Sequence, residues 1–376
     1  MSDRLTAVRR ALADATADRV VECLAEVVGK EYAVSDLDLL LVDYRLAALI
    51  PLLDGAAVTR PGDPAWRCFD HQAEVAAGHV AYLPVSARGE RIGVLRYSPA
   101  ATTAEDRAEL AEVATLLAHE LMAAGAGTDR YAVAARTRRL TLAAEMQWEL
   151  LPGRCRIGPS FSLAGQLEPA YAVRGDGFDW AEDEGRLCLT VLNGMGDGMN
   201  AAMLTSLAVH ALRNARRAGL SLADQAALAD QAIFSQHRGE AHVEALLLEL
   251  NVATGELLVV DTGSPRMMVL RDGDVLDLPM EAQFPLGMFE SSDFETQSVQ
   301  LQTADRLFIV SDGVTEAVGR SGRYGETALH RFMRRTAPMA PLQAVRSLLG
   351  DLRVYVSADL EDDAVAVCLD WTRPGQ

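Results

Sequence analysis

Lysine is nearly absent from this chain. Lys30 is the only one, and arginine supplies the rest of 35 basic residues against 53 acidic ones, for a formal net charge of -18. Phosphate backbones are held by clustered Lys and Arg, so a surface this acidic excludes nucleic-acid binding through bulk electrostatics. It also disfavours an anionic membrane surface. Cysteine is scarce: Cys23, Cys68, Cys155, Cys188 and Cys368 are odd in number, far apart and without a C-x-x-C pair. Neither a disulfide framework nor a zinc site is expected from them. Long apolar runs are missing too. The longest, around residues 39–53, is broken by Asp43 and Arg45, so no membrane span is expected. The opening residues MSDRLTAVRR lack the apolar core of a secretory signal, which makes the cytoplasm the expected compartment.

What is present is ordinary globular material. The 376 residues are 49% hydrophobic, enough for two domains with sizeable cores. Residues 4–29 carry apolar positions at helical spacing and predict one amphipathic helix. β-like runs follow at 38–43 and 45–52, then a Pro/Gly-rich loop at 60–64. Residues 79–85 and 92–97 alternate around the turn Arg88-Gly89-Glu90 and predict a hairpin. Thr102, Thr103, Glu105 and Asp106 read as the start of a helix reaching about residue 123. This order of helix, strands, hairpin ending in IGVLRY and closing helix resembles a GAF-type sensor domain, assigned to residues 1–128. Residues 129–152 follow as a linker, helical over 129–150, with a basic patch at Arg136, Arg138 and Arg139 and a stop at Leu151-Pro152-Gly153. It either packs on one domain or pairs with its copy in a homodimer.

Residues 153–376 change texture. Strands are expected at 161–167, 186–192, 243–250, 256–261, 266–271, 294–301, 305–311 and 363–370. Helices are expected at 201–218, 222–236, 326–336 and 342–352. Clustered strands with paired helices predict an α+β domain of two packed antiparallel sheets with helices outside. Met195, Met199 and Met203 are expected to pack helix against sheet. His210, His237 and His242 stand at no ligand spacing and read as structural, as do Thr205 and Ser206 within a helix.

Four acidic motifs stand at expected strand ends: Arg174-Gly175-Asp176-Gly177-Phe178-Asp179, Asn193-Gly194-Met195-Gly196-Asp197-Gly198, Ser311-Asp312-Gly313-Val314-Thr315-Glu316 and Glu361-Asp362-Asp363. One Asp-Gly pair alone is an ordinary turn. Four such acidic motifs in one domain supply the oxygen donors that hard divalent cations prefer. A metal pair so held clamps a phosphate and activates water for in-line attack.

In this order the motifs resemble the PPM class of metal-dependent, protein phosphatase 2C-like phosphatases, in the SpoIIE/RsbU branch. The resemblance runs over about residues 143–369. It includes the lead-in Gln147 with Leu150-Leu151-Pro152, Pro169-Ala170 before Val173, Ala201-Ala202 after Gly198, Thr262-Gly263-Ser264-Pro265, and Pro285-Leu286-Gly287. It implies hydrolysis of phosphoserine or phosphothreonine between two Mn²⁺ or Mg²⁺ ions. It implies that Asp176 binds one ion, that Asp312 and Asp362 bind the other, that residue 193 bridges them and that Gly194 lends a carbonyl. The phosphoprotein substrate it implies is of the anti-sigma-factor-antagonist kind.

The pattern breaks at three places. The bridging position is Asn193 where the family has Asp, and an amide brings no negative charge. Asp197 replaces a His, and with Asp363 it is a candidate compensating acid. Arg174 replaces a Gly; it either holds the substrate phosphate or pairs with Asp176 in place of a cation. The sequence therefore supports an enzyme regulated by its N-terminal domain, with a catalytically impaired binding protein as the alternative.

Overall fold

The computed structural model describes residues 2–99, 102–137, 139–169, 173–278, 280–357 and 360–374. The chain divides into two compact units, Met1–Arg139 and Leu140–Gln376. The first comprises α1 (Asp3–Asp14), α2 (Val20–Tyr32), β1 (Val34–Val42), β2 (Leu49–Pro51), α3 (Pro64–His71), β3 (Val75–Ala77), β4 (Val80–Ala87), β5 (Glu90–Pro99), α4 (Ala104–Ala124) and α5 (Arg130–Ala134). Its antiparallel sheet has the order β2-β1-β5-β4-β3. Leu39, Leu83 and Leu95 of the sheet share a core with Leu12, Leu24 and Leu117 of the helices.

The hairpin and the helix start stand as expected. Thr103 caps α4: its hydroxyl accepts from the Asp106 amide, and Asp106 accepts from the Thr103 amide. The single helix expected over 4–29 is instead two. Ala15 and Thr16 adopt extended backbone between them, so the apolar stripes of α1 and α2 meet the core separately. The helix expected over 129–150 is also two short ones. Tyr131 Oη donates to the Ala17 carbonyl at 2.7 Å and Arg130 pairs with Glu22, which ties α5 to the first unit. The second piece, α6 (Leu142–Leu150), starts anew in the second unit with Thr141 as its cap. Among the described residues, the continuous helix on which the pairing alternative rested is therefore not formed. Arg138 of its basic patch lies outside the described residues, as does Ala170 of the later motif.

The second unit continues with β6 (Cys155–Ile157), β7 (Phe161–Glu168), β8 (Asp176–Asp183), β9 (Arg186–Gly194), α7 (Gly198–Arg217), α8 (Leu222–His237), β10 (Val243–Asn251), β11 (Glu256–Asp261), β12 (Arg266–Arg271), β13 (Asp274–Asp277), β14 (Gln297–Gln300), β15 (Arg306–Val310), α9 (Asp312–Thr315), the small ribbon β16 (Val318–Gly319) and β17 (Gly322–Arg323), α10 (Tyr324–Thr327), α11 (Leu329–Arg335), α12 (Pro341–Val356) and β18 (Ala364–Trp371). Two antiparallel sheets, β14-β11-β10-β9-β8 and β13-β12-β15-β18-β7-β6, pack face to face. Period-two alternation sorts each strand between layers. In β10, Leu246 and Leu248 enter the core between the sheets, while Ala245 and Leu247 face α7 and α8. In β15, Leu307 and Ile309 point inward, and Phe308 and Val310 pack under α11 and α12.

β8 was not legible as a strand, because its Gly-Asp-Gly opening reads as a turn; pairing with β9 makes it one. The three methionines do not serve as packing: Met195, Met199 and Met203 are 49%, 38% and 57% exposed. Among the described residues no helix is long and apolar enough to cross a membrane.

Candidate metal centre

The site grows out of strand register. Asp176 opens β8 directly opposite Asn193 near the end of β9, and Asn193 stands opposite Glu244 on β10. Directly opposed residues project to the same face of a sheet. The three therefore form a row, on the face that farther along carries Phe178, Val191 and Leu246 into the core between the sheets. The other sheet delivers its acids at the ends of β15 and β18, where Asp312 follows the first strand and Asp362 and Asp363 precede the second. Ser311 locks these ends together: its amide donates to the Val365 carbonyl, and its hydroxyl accepts from the Val365 amide at 2.9 Å. Gly313 is required here, since a Cβ would lie 1.8 Å from the Asp363 carbonyl oxygen.

Asp363 is the organiser of the site. Its Oδ2 accepts from the amides of Arg174 (2.8 Å) and Gly175 (3.1 Å) and from Gln147 Nε2 (2.8 Å). Gln147, on α6, also donates to the Asp176 carbonyl at 2.9 Å. One carboxylate and one amide thus hold the loop leading into β8. Gly175 closes that loop at φ +93, and a Cβ there would meet the Gly194 carbonyl at 2.7 Å. The Gly194 amide donates to the Gly175 carbonyl. Asp179, three residues along from Asp176, faces the opposite side. Arg213 (2.8 Å) and Arg216 (3.0 Å) of α7 clamp it, so it ties strand to helix.

Asp176 is fully buried, and neither of its oxygens accepts a hydrogen bond of normal geometry. Burial, then the charges of Asp363 and Asp312, push its carboxyl well above the ordinary range; the nearby Ser311 hydroxyl opposes this weakly. Burial and then Asp312 raise Asp362 to about 6, with the Arg174 charge pulling the other way. Glu244 is also raised, first by burial and further by Asp312, while the Ser264 amide that it accepts at 3.2 Å holds it down. Sequence reading missed Glu244. Its one signal was an acid interrupting the apolar run of β10.

Asn193 turns its amide nitrogen to Asp312 Oδ2 at 2.7 Å and to Ser264 Oγ at 3.1 Å. A carboxylate only accepts, so the nitrogen is the end of the amide that suits it. Arg174 is exposed and its side chain leaves the Asp176 oxygens bare, so the expected Arg174–Asp176 pair is not made. Asp197 is exposed at the N-cap of α7. The charges acting on Asp176 come from Asp363, Asp312 and Asp362. Asp363 Oδ2 is engaged by the loop and by Gln147.

Among the described residues no three His, Cys, Asp or Glu side chains stand at metal-holding geometry. The donor chemistry nonetheless fits a hard cation. Asp176, Asp312 and Asp362 offer oxygens, and a fully buried carboxylate without donors is costly unless a positive charge faces it. The fit fails at residue 193, which presents a donor to Asp312 where a bridging ligand would present an oxygen.

The family of Stage II sporulation protein E (SpoIIE) matches residues 183–372, just over half of the 376-residue chain. The chain belongs to the SpoIIE family. The match takes in Asn193, Asp312 and Asp362 and begins after Asp176 and Gln147. Phosphoserine phosphatase RsbP of Bacillus subtilis is 29% identical over 162 residues, which span 42% of this chain and 38% of that protein. The fold of the SpoIIE unit is shared with solved phosphatase structures. The RsbU and RsbW domains of Rv1364c from Mycobacterium tuberculosis superpose with a TM-score of 0.51 at 22% identity, over 60% of this chain and 64% of that one. The SiaA-PP2C domain of Pseudomonas aeruginosa does so at 0.50 and 20% identity, over 56% of this chain and 85% of that one. The chain thus spans well under half of RsbP and less than two thirds of the Mycobacterium protein.

Proposed function

We propose that the second unit is a phosphoprotein phosphatase dependent on Mn²⁺ or Mg²⁺, acting on phosphoserine or phosphothreonine. The observation that carries this is Asp176, a buried carboxylate with bare oxygens, next to Asp312 and Asp362 at the mouth between two sheets of PP2C-type fold. The name of RsbP, a phosphoserine phosphatase, supports the same chemistry. Asp176, Asp312 and Asp362 would hold the cation. Glu244 adds a carboxylate in the same strand row as Asn193, and Gly194 offers its backbone oxygen. Bound there, the metal would supply Lewis-acid chemistry for activating water. Asp363 and Gln147 fix the loop that aims Asp176. The exposed Arg174 guanidinium, at the mouth of the site, would take the substrate phosphate. The substrate class is a small phosphorylated protein of a partner-switching circuit, of the anti-sigma-factor-antagonist kind. The first unit is the sensor that regulates it, a reading that rests on its GAF-like order of elements.

A second reading has its own observation. The Asn193 amide donates a hydrogen bond to the Asp312 carboxylate without a cation, which suits a domain kept for binding a phosphorylated partner without turnover. Phosphate release from a phosphoserine peptide with Mn²⁺ separates the two. Activity in the wild type that disappears in Asp312→Ala supports the enzyme. A silent wild type with an active Asn193→Asp supports the binding protein.

A further inference from the structure

The segment between β13 and β14 carries an aromatic patch that the catalytic reading does not use. Phe284 is 62% and Phe289 44% exposed, and they pack edge to face on each other with centroids 4.9 Å apart. Met288 between them is 37% exposed. Side chains of this size are rarely left in water on a monomer unless something covers them. The loop that shows them is firmly built. Gln283 and Glu295 are clamped twice, the side-chain amide of Gln283 donating to the Glu295 carbonyl at 2.9 Å and its oxygen accepting the Glu295 amide at 2.7 Å. Gln297 clamps Glu281 in the same reciprocal way. Leu286 pairs with Val243 in both directions, and the Gly287 amide donates to the buried Asp230 carboxylate at 2.7 Å. The rings are therefore presented on a preorganised scaffold, as binding anchors require.

Charge selects what covers them. No Lys, Arg or His occurs between Arg271 and Arg306. Phe284, Phe289 and the half-buried Phe294 line a groove together with Glu281, Asp293 and Glu295, and the exposed Glu290 adjoins it. We propose that this groove docks a protein partner through a segment in which one or two large apolar side chains are flanked by Lys or Arg. A second copy of this chain, at -18, meets like charge there, and so does an anionic membrane.

Random short peptides displayed on phage, panned on the immobilised full chain and counter-selected on Phe284→Ser/Phe289→Ser, test this directly. The recovered peptides should combine basic residues with an apolar anchor. Made synthetically, they should bind the wild type by fluorescence anisotropy, with affinity falling as salt rises. Binding should weaken at least about tenfold in Phe284→Ser/Phe289→Ser, and likewise in Glu290→Lys/Asp293→Lys, which leaves the rings intact. Acidic or purely polar peptides, equal binding to the serine variant, or no enrichment over the variant overturn the proposal. So does a wild-type dimer in sedimentation that the serine variant splits, since the occupant is then a second copy.

Discussion

Asn193 Nδ2 lies 2.7 Å from Asp312 Oδ2, joining the end of β9 to the start of α9 by a hydrogen bond to a charged group. The expected bridging ligand thus acts, as folded here, as a latch between the two sheets. Asn193→Asp replaces the latch with facing carboxylates. Without metal, the variant should lose about 2 kcal/mol of stability in chemical denaturation. With Mn²⁺ it should regain that loss and gain metal affinity, read by calorimetry. An apo stability equal to the wild type would remove the latch from the account.

Glu244 is the acid that shares a row with Asn193 and Asp176. Glu244→Gln should weaken Mn²⁺ binding by about tenfold, because cation affinity tracks the number of ligand charges. Asp197→Asn, at the exposed helix cap, should leave it unchanged. The reverse ranking would return Asp197 to the site.

Asp362 and Asp106 give opposite pH signs. The folded Asp362 carboxyl is raised to about 6 from an ordinary 3.8, chiefly by burial and then by Asp312, so the folded state holds a proton that the unfolded chain releases. Its contribution is present below about 4 and lost as pH rises to about 6, so metal-free protein should gain stability on acidification through that window. Asp106 is lowered to about 2, first by the Thr103 amide, then by the Thr103 hydroxyl and by Arg4. Its contribution holds above 3.8 and is lost as pH falls towards 2. Melting curves of Asp362→Asn and Asp106→Asn across pH should each flatten one of these slopes.

Gln147 reaches from α6 to both the Asp176 carbonyl and the Asp363 carboxylate. Gln147→Ala should cost about 1–3 kcal/mol by removing a buried donor from the Asp176 carbonyl and the Asp363 carboxylate. It should also lower Mn²⁺ affinity although Gln147 is no ligand. Gln147→Glu, which sets a charge against Asp363, should be worse. A Gln147→Ala variant with normal metal affinity would confine the residue to stability.

The sequence by itself determined the second fold. Short apolar runs such as 243–250 and 305–311 are the length of strands buried on both faces. Asp312 and Asp362 were legible because they sit in short motifs fixed to strand ends. Register was not legible, and register builds the site: Asp176, Asn193 and Glu244 are far apart in the chain and become neighbours only because β8, β9 and β10 align at those positions. Helix breaks at residues 15–16 and 135–137 were equally invisible, since helical periodicity persists across a break that tertiary packing decides. The role of Asp363 came from the tertiary structure alone. Its partners are the backbone of residues 174 and 175 and a side chain on α6, and no local pattern encodes contacts over such sequence distances.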